Sequence, residues 1–174
     1  MFIECIKKEI SKDKSFPALR VLRMFFIGGA SGKSVLLYRL AVFFNQKKMK
    51  LISNLINRRI EKIYGIYINV DAQIAPGLSL PHPVGIVIGQ GVKIDENVVI
   101  YQNVTLGGAR RGDWKVKNYP SIGSNTVIFS GAVIVGKVSI GKNCVIGANA
   151  VVIKDVPDNA TAVGVPAKII MKEV

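Results

Sequence analysis

One imidazole is present in 174 residues, at His82, and prolines flank it at Pro81 and Pro83. A lone histidine is most often structural. An imidazole also titrates near neutrality, which makes it the natural general base for taking a proton from a hydroxyl. A second chemistry-bearing segment runs from Gly107 to Pro120 and gathers Arg110, Arg111, Asp113, Trp114, Lys115 and Lys117. Its Trp is the only one in the chain, and loops projecting from a rigid scaffold tend to carry function.

The scaffold that must position these residues is written in a period of six. Aliphatic anchors fall at Ile88, Ile94, Ile100 and Leu106, then at Ile122, Ile128, Ile134, Ile140, Ile146 and Val152. Six matches neither the 3.6 of a helix nor the 2 of an ordinary strand, so it specifies a parallel β-helix of hexapeptides. A small or β-branched residue follows each anchor by four: Val92, Val98, Val104, Thr126, Ala132, Val138, Cys144 and Ala150. Both sets are expected inside. Gly follows many anchors (Gly89, Gly107, Gly123, Gly141, Gly147), and Asn precedes many small positions (Asn97, Asn103, Asn125, Asn143, Asn149). Both tolerate left-handed backbone angles, so both are expected at corners. A β-sandwich, the alternative, would repeat at roughly 8–12 residues.

The period breaks twice. Leu80 to Ile88 takes eight residues instead of six, and that insertion holds His82. Leu106 to Ile122 takes sixteen, so the segment around residues 107–120 is extruded as a loop. The expected organisation is a basic helical region over 1–63 and a β-helix over 64–174, with Ile68, Ile74 and Leu80 in its first coil. Residues 1–16 read as a short helix and Pro17 opens the next. Gly28, Gly29 and Gly32 mark a break, with Ser31 or Ser34 capping the helix that follows.

The net charge of +13 is unevenly placed. Residues 1–66 carry 14 Lys or Arg against four acidic residues, a net +10, whereas the other 108 carry ten against seven. The basic region suits an anionic partner, the inner face of a membrane before nucleic acid, since no nucleic-acid reader motif accompanies it. A merely solvated surface is the plain alternative. Cys5 and Cys144 lie far apart, and Cys144 holds an interior position, which points to structural thiols in a reducing compartment. No zinc motif is present. No cleavable signal or spanning segment is readable, so a cytoplasmic protein is expected. Ser31-Gly32-Lys33-Ser34 imitates the end of a phosphate-binding loop, but Ile27 stands where that motif needs Gly.

The segments Leu80–Gly89, Asn103–Gly108, Val151-Val152 and Ala162–Lys168 resemble the serine acetyltransferase-like branch of hexapeptide-repeat acyltransferases, over roughly residues 64–170. The resemblance implies a left-handed β-helix, a homotrimer with active sites in the clefts between subunits, and acetyl-CoA as donor. Trimers pair in the larger relatives. Carried over by position, His82 matches the base that deprotonates the acceptor hydroxyl for direct attack on the thioester. Gly107 and Gly108 match the strand lining the pantetheine arm, Ala132 to Ala150 the rest of the CoA tunnel, and Gly164 to Lys168 the segment beside the adenine end. No metal is implied.

The chain departs from that pattern at the acceptor. Pro81 replaces an Asp beside the His, Tyr67 an Asp fifteen residues earlier, and Asn118-Tyr119-Pro120 an Arg-His-Pro. Groups for gripping an ammonium and a carboxylate are thereby missing. The expected acceptor is a sugar or glycan hydroxyl of a capsule, exopolysaccharide or O-antigen precursor, stacked on Tyr67, Tyr101, Trp114 and Tyr119. Free serine is the alternative, and a non-catalytic scaffold the second. The second nitrogen of His82 is expected on a backbone carbonyl or the Tyr67 hydroxyl.

Overall fold

The computed structural model describes residues 4, 5 and 28–171. Apart from residues 4 and 5, the helices expected over 1–16 and from Pro17 lie outside the described residues. Helix α1 (Ala30–Gln46) and helix α2 (Lys50–Tyr64) pack on each other, and Ser53 of α2 donates its hydroxyl to Ala41 O at 2.8 Å. Gly32 lies inside α1, and neither expected serine caps it. Hydrogen bonding already starts at Gly29 O, and the Ser34 hydroxyl turns back to Ser31 O. Gly65 ends α2 in the left-handed conformation (φ 60°), a turn that glycine makes without a Cβ penalty.

From there the chain winds through three sheets. The first contains β1 (Tyr67–Ile68), β3 (Val87–Ile88), β6 (Thr105–Gly107), β9 (Val133–Val135) and β12 (Val151–Val152). The second contains β2 (Gln73–Ile74), β4 (Lys93–Ile94), β7 (Ser121–Ile122) and β10 (Ser139–Ile140). The third contains β5 (Val99–Ile100), β8 (Val127–Ile128), β11 (Val145–Ile146), β13 (Ala160–Val163) and the antiparallel β14 (Lys168–Met171). Val145 pairs with Val127, eighteen positions earlier, so three hexapeptides make one coil. Val87 pairs with Tyr67 twenty positions back, and Ser121 with Lys93 twenty-eight back. These offsets are the two insertions, absorbed without loss of register.

The ten regular anchors are 0–2 % exposed, as are Ile68 and Leu80, while Ile74 is half-buried. Each Ile removed from water contributes roughly 1.5–3 kcal/mol. The corners divide differently from the expectation. Asn97, Asn103, Asn125, Asn143 and Asn149 do take positive φ, between 55° and 60°. Glycines 89, 107, 123, 141 and 147 do not. Four of them answer to crowding: a Cβ on Gly123 would stand 2.6 Å from the Gly141 carbonyl, and Gly89, Gly141 and Gly147 are similarly closed. Gly107 faces open space.

The helices are pinned to the first coil. Arg39 is buried and donates its guanidinium to Ile74 O at 2.7 Å and Ala75 O at 2.8 Å, while the Tyr38 hydroxyl reaches Ala72 O at 3.3 Å. These donors occupy carbonyls at the end of the stack that would otherwise stay open.

Candidate active site

His82 stands exposed on the turn between Leu80, at the third sheet, and β3 in the first. Pro81 and Pro83 fix φ on either side of it, and Val84 N closes a three-residue turn onto His82 O at 2.8 Å. The ring of Tyr101 lies 6.1 Å from the imidazole and stacks on Phe129 at 5.2 Å with a 16° tilt. Phe129 was not singled out in the sequence. It follows anchor Ile128 as Tyr101 follows Ile100, and superposing successive coils reveals the stack. The Tyr67 hydroxyl accepts from Asn69 Nδ2 at 3.2 Å, and neither it nor a backbone carbonyl, the two expected partners, is bonded to His82. Among the described residues the imidazole takes no hydrogen bond.

The extruded loop is organised by Asp113. One carboxylate oxygen accepts the N–H groups of Ala109 and Arg110, both at 2.7 Å, and the other accepts Asn118 Nδ2 at 3.2 Å. The Arg110 N–H bond above all, with those of Asn118 and Ala109 and the Arg110 charge, holds the carboxyl below the usual Asp range, against the opposing effect of burial. Gly108 is required beneath it, since a Cβ there would stand 2.8 Å from Asp113 Cβ. The short helix α3 (Asp113–Val116) lifts Trp114 into solvent, 62 % exposed, with Lys115 Nζ 5.3 Å from its ring.

Tyr119 returns the loop to the coil and packs on the corner at Gly89 and Gly91. It borders a groove of about 660 Å³ on the second sheet, with Trp114, Lys93, Lys117, Lys137, Asp71 and Asp155 also along its walls. Asp71 is engaged by Asn45 and Gln90, and Asp155 by Ser139 N.

The four aromatic residues therefore do not border one cleft. Tyr101 belongs to the His82 corner, between the third and first sheets. Trp114 and Tyr119 belong to the loop corner, between the first and second, and Tyr67 lies on the outer surface of the first. Among the positions expected to meet CoA, Gly107 and Gly108 sit at the root of the loop, and Gly136 N donates to Gly107 O at 2.9 Å. Ala132 and Ala150 are 0 % exposed, because the fourth residue after an anchor points into the coil, so their side chains line no tunnel. Gly164 (φ 95°) turns the chain before the cis Val165–Pro166 bond, and Lys168 stands exposed on β14. That segment also closes the third sheet. Among the described residues no group of three or more His, Cys, Asp or Glu is placed to hold a metal, and no helix is long and apolar enough to cross a membrane.

A left-handed parallel β-helix of hexapeptides, broken by one insertion bearing an exposed histidine and by one extruded loop, defines a hexapeptide-repeat acyltransferase. A family model for bacterial transferase hexapeptides (six repeats) matches residues 119–154. The chain is 39 % identical over 140 residues to the serine acetyltransferase of Helicobacter pylori, covering 80 % of this chain and 81 % of that protein. It is 33 % identical over 175 residues to that of Bacillus pumilus, covering 99 % and 79 %. Among solved structures, the Neisseria gonorrhoeae serine acetyltransferase superposes with a TM-score of 0.81 at 29 % identity, covering 99 % of this chain and 67 % of that one. A serine acetyltransferase in complex with CoA gives 0.78 at 29 % identity, covering 97 % and 68 %. The chain belongs to the serine acetyltransferase family, and acetyl-CoA is its co-substrate.

These relatives overturn the expected glycan acceptor and the polysaccharide-modifying subgroup, because the matched proteins are serine acetyltransferases. The error lay in equating four replaced residues with a loss of charge. Arg110, Arg111, Lys115 and Lys117 still stand on the loop, and acidic and basic groups share the groove beneath it.

Proposed function

We propose that the chain transfers the acetyl group of acetyl-CoA to the hydroxyl of L-serine, with His82 as general base. The carrying observation is the exposed His82 on the two-residue break of a β-helix whose relatives are serine acetyltransferases. His82 takes the hydroxyl proton as the serine oxygen attacks the thioester carbonyl. The tetrahedral adduct collapses, the C–S bond breaks, and the imidazolium returns the proton to the departing CoA thiolate. No acyl-enzyme forms. The backbone N–H of Gly108 is the proposed donor to the oxyanion, next to Gly107, whose open face leaves room for the pantetheine arm.

Because the two corners lie apart within one chain, the working cleft needs the loop corner of one copy beside the His82 corner of the next, in a trimer. The outer surface of the first sheet supports such packing: Tyr67 and Val87 are exposed, and Val133, Val135 and Val151 are only half-covered. Lys117, beside Asn118, is the proposed partner of the serine carboxylate. CoA release from acetyl-CoA with L-serine, against glycine and with no acceptor, tests the assignment. A rate no higher with serine than without acceptor would overturn it.

The basic N-terminal region is further proposed to touch an anionic bilayer surface from outside. Leu51 and Leu55 are 74 % and 57 % exposed on α2, on the same side as Arg58 and Lys62. Co-sedimentation with phosphatidylglycerol vesicles, abolished by Leu51→Glu with Leu55→Glu, is the expected result. Equal binding by that variant would refute the contact.

A further inference from the structure

Among the described residues, one buried side-chain nitrogen or oxygen lacks a hydrogen-bond partner: Oε1 of Gln102. An orphaned buried acceptor is uncommon enough to need a reason, and functional sites are where such groups collect. This one lies beside the His82 insertion. Ile100 N bonds to Ser79 O and Asn103 N to Val84 O, both at 2.9 Å, which brackets Tyr101 and Gln102 against the segment carrying Leu80 to Val84. The ring contact between Tyr101 and His82 joins the same two rungs.

His82 has the complementary lack. A general base needs its second ring nitrogen held, so that the working nitrogen is bare and aimed. Three nearby acceptors are already engaged: Tyr67 Oη by Asn69, His82 O by Val84 N, and Val84 O by Asn103 N. We propose that Gln102 is the positioning residue for His82. Its Oε1 accepts the Nδ1–H of the imidazole, and Nε2 is left free to take the acceptor proton. Nδ1 is the ring nitrogen nearer the backbone and so nearer the neighbouring rung, while Nε2 faces outward. The bond closes by side-chain rotation, in keeping with catalytic hydrogen bonds that tighten only in the substrate complex. Gln102 thereby does the work that an acidic residue would otherwise do beside the imidazole, and it does so without adding a charge. The inference rests on His82 as the base.

The single imidazole makes the test direct. Long-range ¹H–¹⁵N correlation spectra of the full-length labelled chain, saturated with CoA, report which ring nitrogen carries the proton. The expected result is the Nδ1–H tautomer in the parent chain and in Gln102→Glu. A shift to the Nε2–H form that free imidazole prefers is expected in Gln102→Met, which keeps length but has no acceptor. In steady-state assays Gln102→Met lowers kcat by about 10–100-fold, by analogy with the loss of a partner that orients a metal-bound histidine, and leaves the KM for acetyl-CoA unchanged. An Nε2–H tautomer in the parent chain, or the same tautomer in the parent and Gln102→Met, assigns the orphan oxygen to bound water and overturns the proposal. Should Gln102→Met fail to fold, the parent spectrum alone decides. If His82→Asn retained full activity, the base assignment would fall, while the tautomer would still report the hydrogen bond.

Discussion

The ring of Tyr119 lies so close to Gly91 that a methyl group on that glycine would overlap it. The end of the loop is thus seated on a corner that has no side chain. Gly91→Ala forces the ring away, and overpacking of this kind costs about 1–3 kcal/mol. The expected outcome is a lower thermal midpoint and a raised KM for the acceptor, with the KM for acetyl-CoA unchanged. Parent-like values for both would mean that Tyr119 does not hold the loop.

His82→Asn keeps a polar, similar-sized group and removes the base. Acetyl transfer is expected to fall by about 10²–10⁴-fold. Since His82 is exposed, stability is expected to move by no more than about 0.5 kcal/mol. Parallel rate measurements and thermal melts separate loss of chemistry from loss of fold.

Asp113 makes the loop sensitive to acid. Its folded carboxyl is held below the unfolded value, so its contribution is fully present above the ordinary Asp range and is lost as pH falls through the lower folded value. Trp114 is the next residue and the only Trp, so its fluorescence reports the change. An acid transition is expected in the parent chain and none in Asp113→Asn. A transition that survives in that variant would assign it to another group.

The corner between the second and third sheets carries a ladder in which Asn97 donates to Asn125, Asn125 to Asn143 and Asn143 to Asn159, at 3.1–3.3 Å. Asn125 also holds φ at 60°. Asn125→Ala loses the ladder and strains the backbone, a loss of about 1–2 kcal/mol. Asn125→Gly loses only the ladder. Denaturant titration is expected to rank the parent first, Gly second and Ala last, and an Ala variant as stable as Gly would remove the backbone argument.

The interior was legible because burial imposes a simple rule. Ile88 to Leu106 and Ile122 to Val152 repeat every six residues since each coil has three flat sides, and nothing else in the chain competes for those positions. The corner glycines were visible but read for the wrong reason, because composition does not separate positive φ from crowding. His82 stood out in the sequence through its uniqueness and its place at a break. Its separation from Trp114 and Tyr119 was missed although the anchors contain it: Leu80 and Leu106 precede different corners when anchors are counted in threes. Gln102 left no signal in the sequence. It is a polar residue in a corner, and only the burial of its oxygen distinguishes it.

The extruded loop leaves at Gly107 and returns at Ser121, on neighbouring sheets, and rungs above and below clamp both ends. Its ten additional residues disturb no pairing in the coil. A lineage can therefore lengthen, shorten or rewrite that one insertion while the stack of coils is inherited unchanged.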